Sequence, residues 1–226
     1  MHYGGASTRQ VYSYGIYANS RASTFDHIEL TSNLIKLDGE GNGYGIYLNL
    51  SRSTLNADNL IANNICDIGR PDYTVGIQAY IQAPITTNNT HLVYNTVYHQ
   101  AHPTIASGDD SYCFRLYNIQ GDVKNNIASI GKNGNSAYAF FGSNSGSIPD
   151  FNNNVIDFSR ISVGSRYCAL WGGVAYSSMF DWQKSNGGAN SLELDPKLTD
   201  PSNGDYTPQT FTMVNKGTPV AAVKDD

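Results

Sequence analysis

An asparagine returns along the chain at Asn33, Asn64, Asn95, Asn126 and Asn154, with spacings of 31, 31, 31 and 28. Its neighbours return with it, as LTSNLIKL, IANNICDI, LVYNTVYH, VKNNIASI and FNNNVIDF. Three positions before it stands an apolar residue: Leu30, Ile61, Leu92, Val123 or Phe151. Plus two is small or apolar (Ile35, Cys66, Val97, Ala128, Ile156), and plus four is Leu37, Ile68, His99, Ile130 and Phe158. A register kept over five copies admits few folds, because each copy must bury its apolar side against the next one. After the Asn, apolar and polar positions alternate with period two, which selects strand over helix.

A second motif falls between the asparagines: GIYAN at Gly15, GIYLN at Gly45, GIQAY at Gly76, CFRLY at Cys113, YAFFG at Tyr138 and CALWG at Cys168. Each coil therefore holds two or three short strands, stacked on the next coil at about 4.8 Å. The Asn is expected at a corner, where its short side chain tolerates left-handed backbone. Amides stacked there can bond one another along the axis. The pattern predicts an all-β parallel β-helix (a solenoid) of about six coils over residues 1–175. Residues 176–226, where the repeat dissolves, are expected to be an irregular C-terminal cap of the same domain.

Charged residues make up 15 % of the 226, and Gly (22) and Tyr (16) are abundant. Such a polar but uncharged surface suits an extracellular or cell-surface sheet protein. A net charge of −5 argues against a nucleic-acid partner, which selects a basic face. No apolar run of about 18 residues is present, so no membrane-spanning helix is expected. Cys113 and Cys168 occupy the same coil position two rungs apart, roughly 10 Å, which is too far for a disulfide. With Cys66 they read as buried small hydrophobes.

Counting back one repeat from Asn33 reaches His2, so residues 1–14 read as the second half of a coil. That start would expose unpaired strand edge, and upstream coils or another chain, such as a second copy, are expected to cover it. Tyr3, Val11 and Tyr12 would be buried by that partner.

Three stretches carry candidate chemistry. The turn LDGEGNG places Asp38, Glu40 and Asn42 at alternating positions before Gly43, as at the start of a calcium loop, although position twelve is Asn49 instead of Glu. The alternative is a glycine turn that needs positive φ. The third coil is the longest, because Asn95 stands further ahead of Cys113 than Asn64 does of Gly76. The extra length, HQAHPTIASGDDSY, brings His99, His102, Asp109 and Asp110, with Arg115 on the next strand; long loops on rigid scaffolds often carry function. Along the GIY-like strands, alternation turns Tyr17, Tyr47, Gln78, Arg115 and Phe140 outward, and two residues further on Tyr80 and Tyr117. Flat aromatic faces beside amides suit a sugar chain; strand propensity alone is the competing explanation.

The tail MFDWQKSNGGANSLELDPKLTDPSNGDY resembles the closing segment of bacterial right-handed parallel β-helix repeat proteins. The matching residues are Phe180, Trp182, Gln183, Ser191, Asp195–Pro196, Leu198, Asp200–Pro201, Gly204–Asp205–Tyr206 and Thr218–Pro219. The resemblance implies the right-handed form of the solenoid and a segment that closes its end. Prolines and acids there are expected to blunt the last edge. Proteins of this fold include polysaccharide lyases, hydrolases and non-catalytic surface proteins, so the fold chooses none of them.

A lyase needs a cation or Ca²⁺ to neutralise a uronate and a base to take the proton. Arg115, His102, Asp109 and Asp110 are the one concentration of such groups. A hydrolase needs carboxylates at a set separation, and only Asp109–Asp110 is faintly similar to that pattern. Two readings stand. One is a non-catalytic extracellular module that binds glycan, adheres or self-assembles. The other is the C-terminal part of a secreted polysaccharide lyase or related carbohydrate-active enzyme.

Overall fold

A computed structural model describes residues 12–19, 27–39, 41–50, 58–69, 72–82, 89–102, 109–132, 134–143, 149–185 and 188–210. In chain order the strands are β1 (Tyr12–Asn19), β2 (Glu29–Thr31), β3 (Leu34–Leu37), β4 (Asn42–Leu50), β5 (Asp58–Ala62), β6 (Ile65–Ile68) and β7 (Thr74–Ile81). They continue as β8 (Asn89–Val93), β9 (Thr96–His102), β10 (Ser111–Tyr117), β11 (Asp122–Lys124), β12 (Ile127–Lys132), β13 (Ser136–Ser143), β14 (Asp150–Asn152), β15 (Val155–Asp157) and β16 (Ser165–Trp171). The closing segment holds β17 (Val174–Tyr176), helix α1 (Met179–Lys184), β18 (Leu192–Glu193), β19 (Leu198–Asp200) and β20 (Asp205–Pro208).

Every third strand pairs with its counterpart one coil away, in parallel. One sheet runs β1-β4-β7-β10-β13-β16, a second β2-β5-β8-β11-β14, and a third β3-β6-β9-β12-β15-β18. The chain is therefore a parallel β-solenoid. It makes about four turns, fewer than the six expected from the sequence. The interior is one apolar column running the length of the coils, with Ile46, Ile77, Phe114 and Phe140 from the first sheet and Ile61 and Leu92 from the second. Cys66, Val97 and Ile156 come from the third. All three cysteines are free and buried, and burial pushes the Cys66 thiol up to about 12.

Close approach of the first and third sheets explains the glycines of the GIY motif. A Cβ at Gly45 would lie 2.7 Å from Cys66 Sγ, and one at Gly76 would lie 2.2 Å from a Val97 methyl. The glycine thus makes room for the plus-two residue of the third-sheet strand that follows, β6 after β4 and β9 after β7.

The asparagines form a buried ladder. Asn64, Asn95, Asn126 and Asn154 are at most 1 % exposed. Asn95 Nδ2 donates to Ile61 O (2.8 Å) and to Asn126 Oδ1 (3.0 Å), and its backbone N–H donates to that same oxygen (3.0 Å). The pattern repeats from Asn33 to Asn154, where the last backbone N–H donates to Ser191 Oγ. The left-handed residue is not the ladder Asn but the one before it: Ser32, Asn63, Tyr94, Asn125 and Asn153 have φ of 53–58°. That turn aims the Asn inward, where its amide bonds the neighbouring coils.

The closing segment does more than blunt an edge. Met179 and Trp182 of α1 plug the apolar column, with the Trp182 ring 5.3 Å from Phe151. β18 adds another parallel rung, pairing Leu192 with Val155. The β19–β20 hairpin then doubles back along the flank, where the Tyr206 hydroxyl donates to Asp67 (2.6 Å).

Candidate functional site

The outer face of the β1–β16 sheet carries most of the residues singled out from the sequence. Parallel register stacks like on like. Tyr17, Tyr47, Gln78, Arg115 and Phe141 form one outward column, with Tyr17 and Tyr47 stacked at 5.1 Å. Beside it, Tyr14 stacks on Tyr44 at 5.1 Å, and Tyr112, Tyr138 and Tyr167 stack at 5.0 and 5.1 Å. Val75 interrupts this second column, and Tyr73 from the preceding turn spans the gap, 6.0 Å from Tyr44 and 5.4 Å from Tyr112. Tyr80 and Tyr117 form a third column at 5.6 Å. Tyr17 is 54 % exposed, whereas Tyr47, Tyr80 and Tyr117 are half-buried.

Phe140 is a correction. It pairs with Phe114 and lies in the core, 1 % exposed, so it offers no surface to a ligand. Its neighbour Phe141 takes the outward place beside Arg115. The motif YAFFG has two adjacent aromatics and no glycine at its start to set the phase, so aligning its first residue with the glycine column shifts the strand by one.

Arg115 sits where the columns meet. Its guanidinium lies 5.5–5.7 Å from the ring centres of Tyr112, Tyr117 and Phe141. Nη1 donates to the Tyr73 hydroxyl (2.8 Å) and to Gln78 Oε1 (3.2 Å), and Nε donates to the Tyr117 hydroxyl (3.3 Å). Burial pulls its pKa down, but the Tyr73 and Tyr117 oxygens outweigh that, so the side chain stays a cation. Burial, with Asp110 second, pushes the Tyr112 phenol far above its ordinary value. That ring is therefore neutral at any ordinary pH.

Asp110 lies near this wall, accepting from the Tyr112 hydroxyl (3.0 Å) and from Asn135 Nδ2 (3.3 Å). The Asp109 carbonyl accepts from the Asn135 N–H. The backbone of His102 pairs with Lys132, across an irregularity that gives β9 one residue more than β12. His102's side chain and residues 103–108 lie outside the described residues. His99 points into the core, 1 % exposed, with Nδ1 3.2 Å from Thr74 Oγ1. Burial, then the positive charges of Lys132 and Arg160, holds its pKa down to about 3. The sequence reading missed Lys132, which is 3 % exposed, donates to the Asp72 carbonyl, and is pulled by burial to about 8. It also missed Tyr73, which comes from a turn and belongs to no strand column.

Of the calcium-loop residues, Asp38 is exposed, Asn42 is 8 % exposed and paired with Tyr12 in the sheet, and Glu40 lies outside the described residues. No group of three His, Cys, Asp or Glu that could hold a metal occurs among the described residues. Tyr12 is 47 % exposed; Tyr3 and Val11, named with it as an interface, lie outside the described residues.

Fold and site together define a class: a parallel β-solenoid with a tyrosine-rich outer face around one arginine. Comparison with protein-family models, with curated proteins and with solved structures finds no match. No helix among the described residues is long and apolar enough to cross a membrane.

Proposed function

We propose that this chain is a non-catalytic module of the cell surface or extracellular space that binds a glycan along the outer face of the β1–β16 sheet. The observation that carries the reading is two neighbouring aromatic columns on one face, Tyr17 on Tyr47 and Tyr80 on Tyr117. These four stand on successive rungs of one sheet, and Gln78 and Arg115 continue the first column beside Tyr80 and Tyr117. A sugar ring lays its C–H face on an aromatic ring and its hydroxyls on nearby polar groups. A solenoid repeats that pairing once per coil, which suits a chain of repeating sugars.

A glycan array probed with the purified chain, and again with Tyr47→Ala/Tyr117→Ala, tests the reading. Binding by the native chain and its loss in a variant that keeps the native β spectrum is the expected result. Equal binding by both would reduce the strip to strand-forming surface. Eliminase activity on a uronate polymer that disappears in Arg115→Ala would favour the enzyme reading over this one.

A further inference from the structure

A guanidinium has five N–H donors. Three of those on Arg115 are used, by Tyr73, Gln78 and Tyr117. The two on Nη2 have no partner among the described residues, and Nη2 is not among the polar atoms sealed from solvent. No ion pair among the described residues includes Arg115. Lys124 lies 2.6 Å from both Asp122 and Asp150, and Arg160 faces Asp157 at 3.9 Å, whereas the buried Lys132, like Arg115, has no ion pair among the described residues. The nearby carboxylate of Asp110 is taken up by Tyr112 and Asn135. Arg115 is thus a cation held on one side by two phenols and an amide, flanked by three rings, with Nη2 open. Partial burial without a counter-charge costs free energy that an incoming anion would offset. The free Nη2 can give a carboxylate or a sulfate a charge-assisted hydrogen bond.

Resting on the glycan-binding reading above, we infer that the ligand is an acidic glycan whose carboxylate or sulfate seats on Nη2 of Arg115, with its sugar rings on Tyr47, Tyr80 and Tyr117. The neighbouring phenols add donors to the anion's remaining oxygens, and the three bonds to the guanidinium fix its plane before the ligand arrives. That preorganisation lowers the ordering cost of binding.

The test is calorimetric titration of the full chain with three probes: an oligogalacturonate, its methyl ester, and a sulfated oligosaccharide. The ester keeps the sugar chain and removes the charge. At least one acidic probe is expected to bind about tenfold or more tighter than the ester. Carboxylate and sulfate are told apart by which probe does so. Arg115→Gln should bring the acid down to the level of the ester measured on the same variant. Gln78→Glu, which puts a counter-charge beside Nη1, should do the same without removing the arginine, and serves if Arg115→Gln fails to fold. Equal affinity for acid and ester, or a preference that survives both variants, overturns the inference and leaves the glycan-binding face standing. Binding of none of the three probes overturns both.

Discussion

Replacing Asn95 with leucine would interrupt the ladder at its centre, and the structure sets the cost. The Asn95 side chain makes four hydrogen bonds: Nδ2 to Ile61 O and Asn126 Oδ1, and Oδ1 from the N–H and Nδ2 of Asn64. Asn126 Oδ1 survives the change, because the Asn95 backbone N–H still reaches it. The Asn64 N–H and one hydrogen of its Nδ2 are stranded at positions with no solvent exposure. At about 1–3 kcal/mol for each buried donor left without an acceptor, the loss is about 2–6 kcal/mol. For a chain of this size that lowers Tm by roughly 10 °C. Asn33→Leu is the internal control. Asn33 is half-exposed, nothing among the described residues donates to its Oδ1, and Asn64 Oδ1 keeps the Asn33 N–H. Its cost should be below about 1 kcal/mol. Urea unfolding followed by circular dichroism measures both. Two variants that lose equally little would refute the claim that the buried amides hold the coils in register.

The other expectations are smaller. Tyr94 is the one left-handed corner residue with a bulky side chain (φ 58°), so Tyr94→Asn should stabilise by about 1 kcal/mol in the same urea assay. A loss would mean that Tyr94's packing against Val93 and Ala62 outweighs its backbone strain. His99 stays neutral in the folded chain down to about pH 3, whereas in the unfolded chain it takes a proton near 6.5. Stability should therefore fall as pH drops from about 6.5 towards 3, since only the unfolded state gains that proton. His99→Leu, which copies Leu37 in the same column, should flatten that limb of the stability curve, and an unchanged slope would show that other groups set it.

The solenoid was legible because its unit is copied: one strand too short to assign alone becomes secure when it recurs in every coil. The outward tyrosines Tyr17, Tyr47, Tyr80 and Tyr117 followed from the same alternation. Phe140 was misplaced where the unit lost its marker glycine, since a slip of one residue exchanges inside and outside. The corner was misread by one position because the sequence shows which residue recurs, not which one bends. There the recurring Asn is the one that bonds, and the bending residue varies from Ser32 to Tyr94. Tyr73, Lys132 and the contact of Tyr206 with Asp67 were invisible for a common reason. They join turns or tail to coils, across most of the chain in the last case, and no period links them.

That last contact makes the hairpin a ruler. A ladder of identical rungs has no preferred length: a whole coil could be added or removed and every remaining rung would still find its neighbour. The β19–β20 hairpin starts beyond β18 and reaches back to β6, four rungs or about 19 Å. Adding one coil between them would carry the Tyr206 hydroxyl from Asp67 to the place of Tyr98, which has no carboxylate to accept it. The body of this protein can drift in length by whole units, but the strap admits one number.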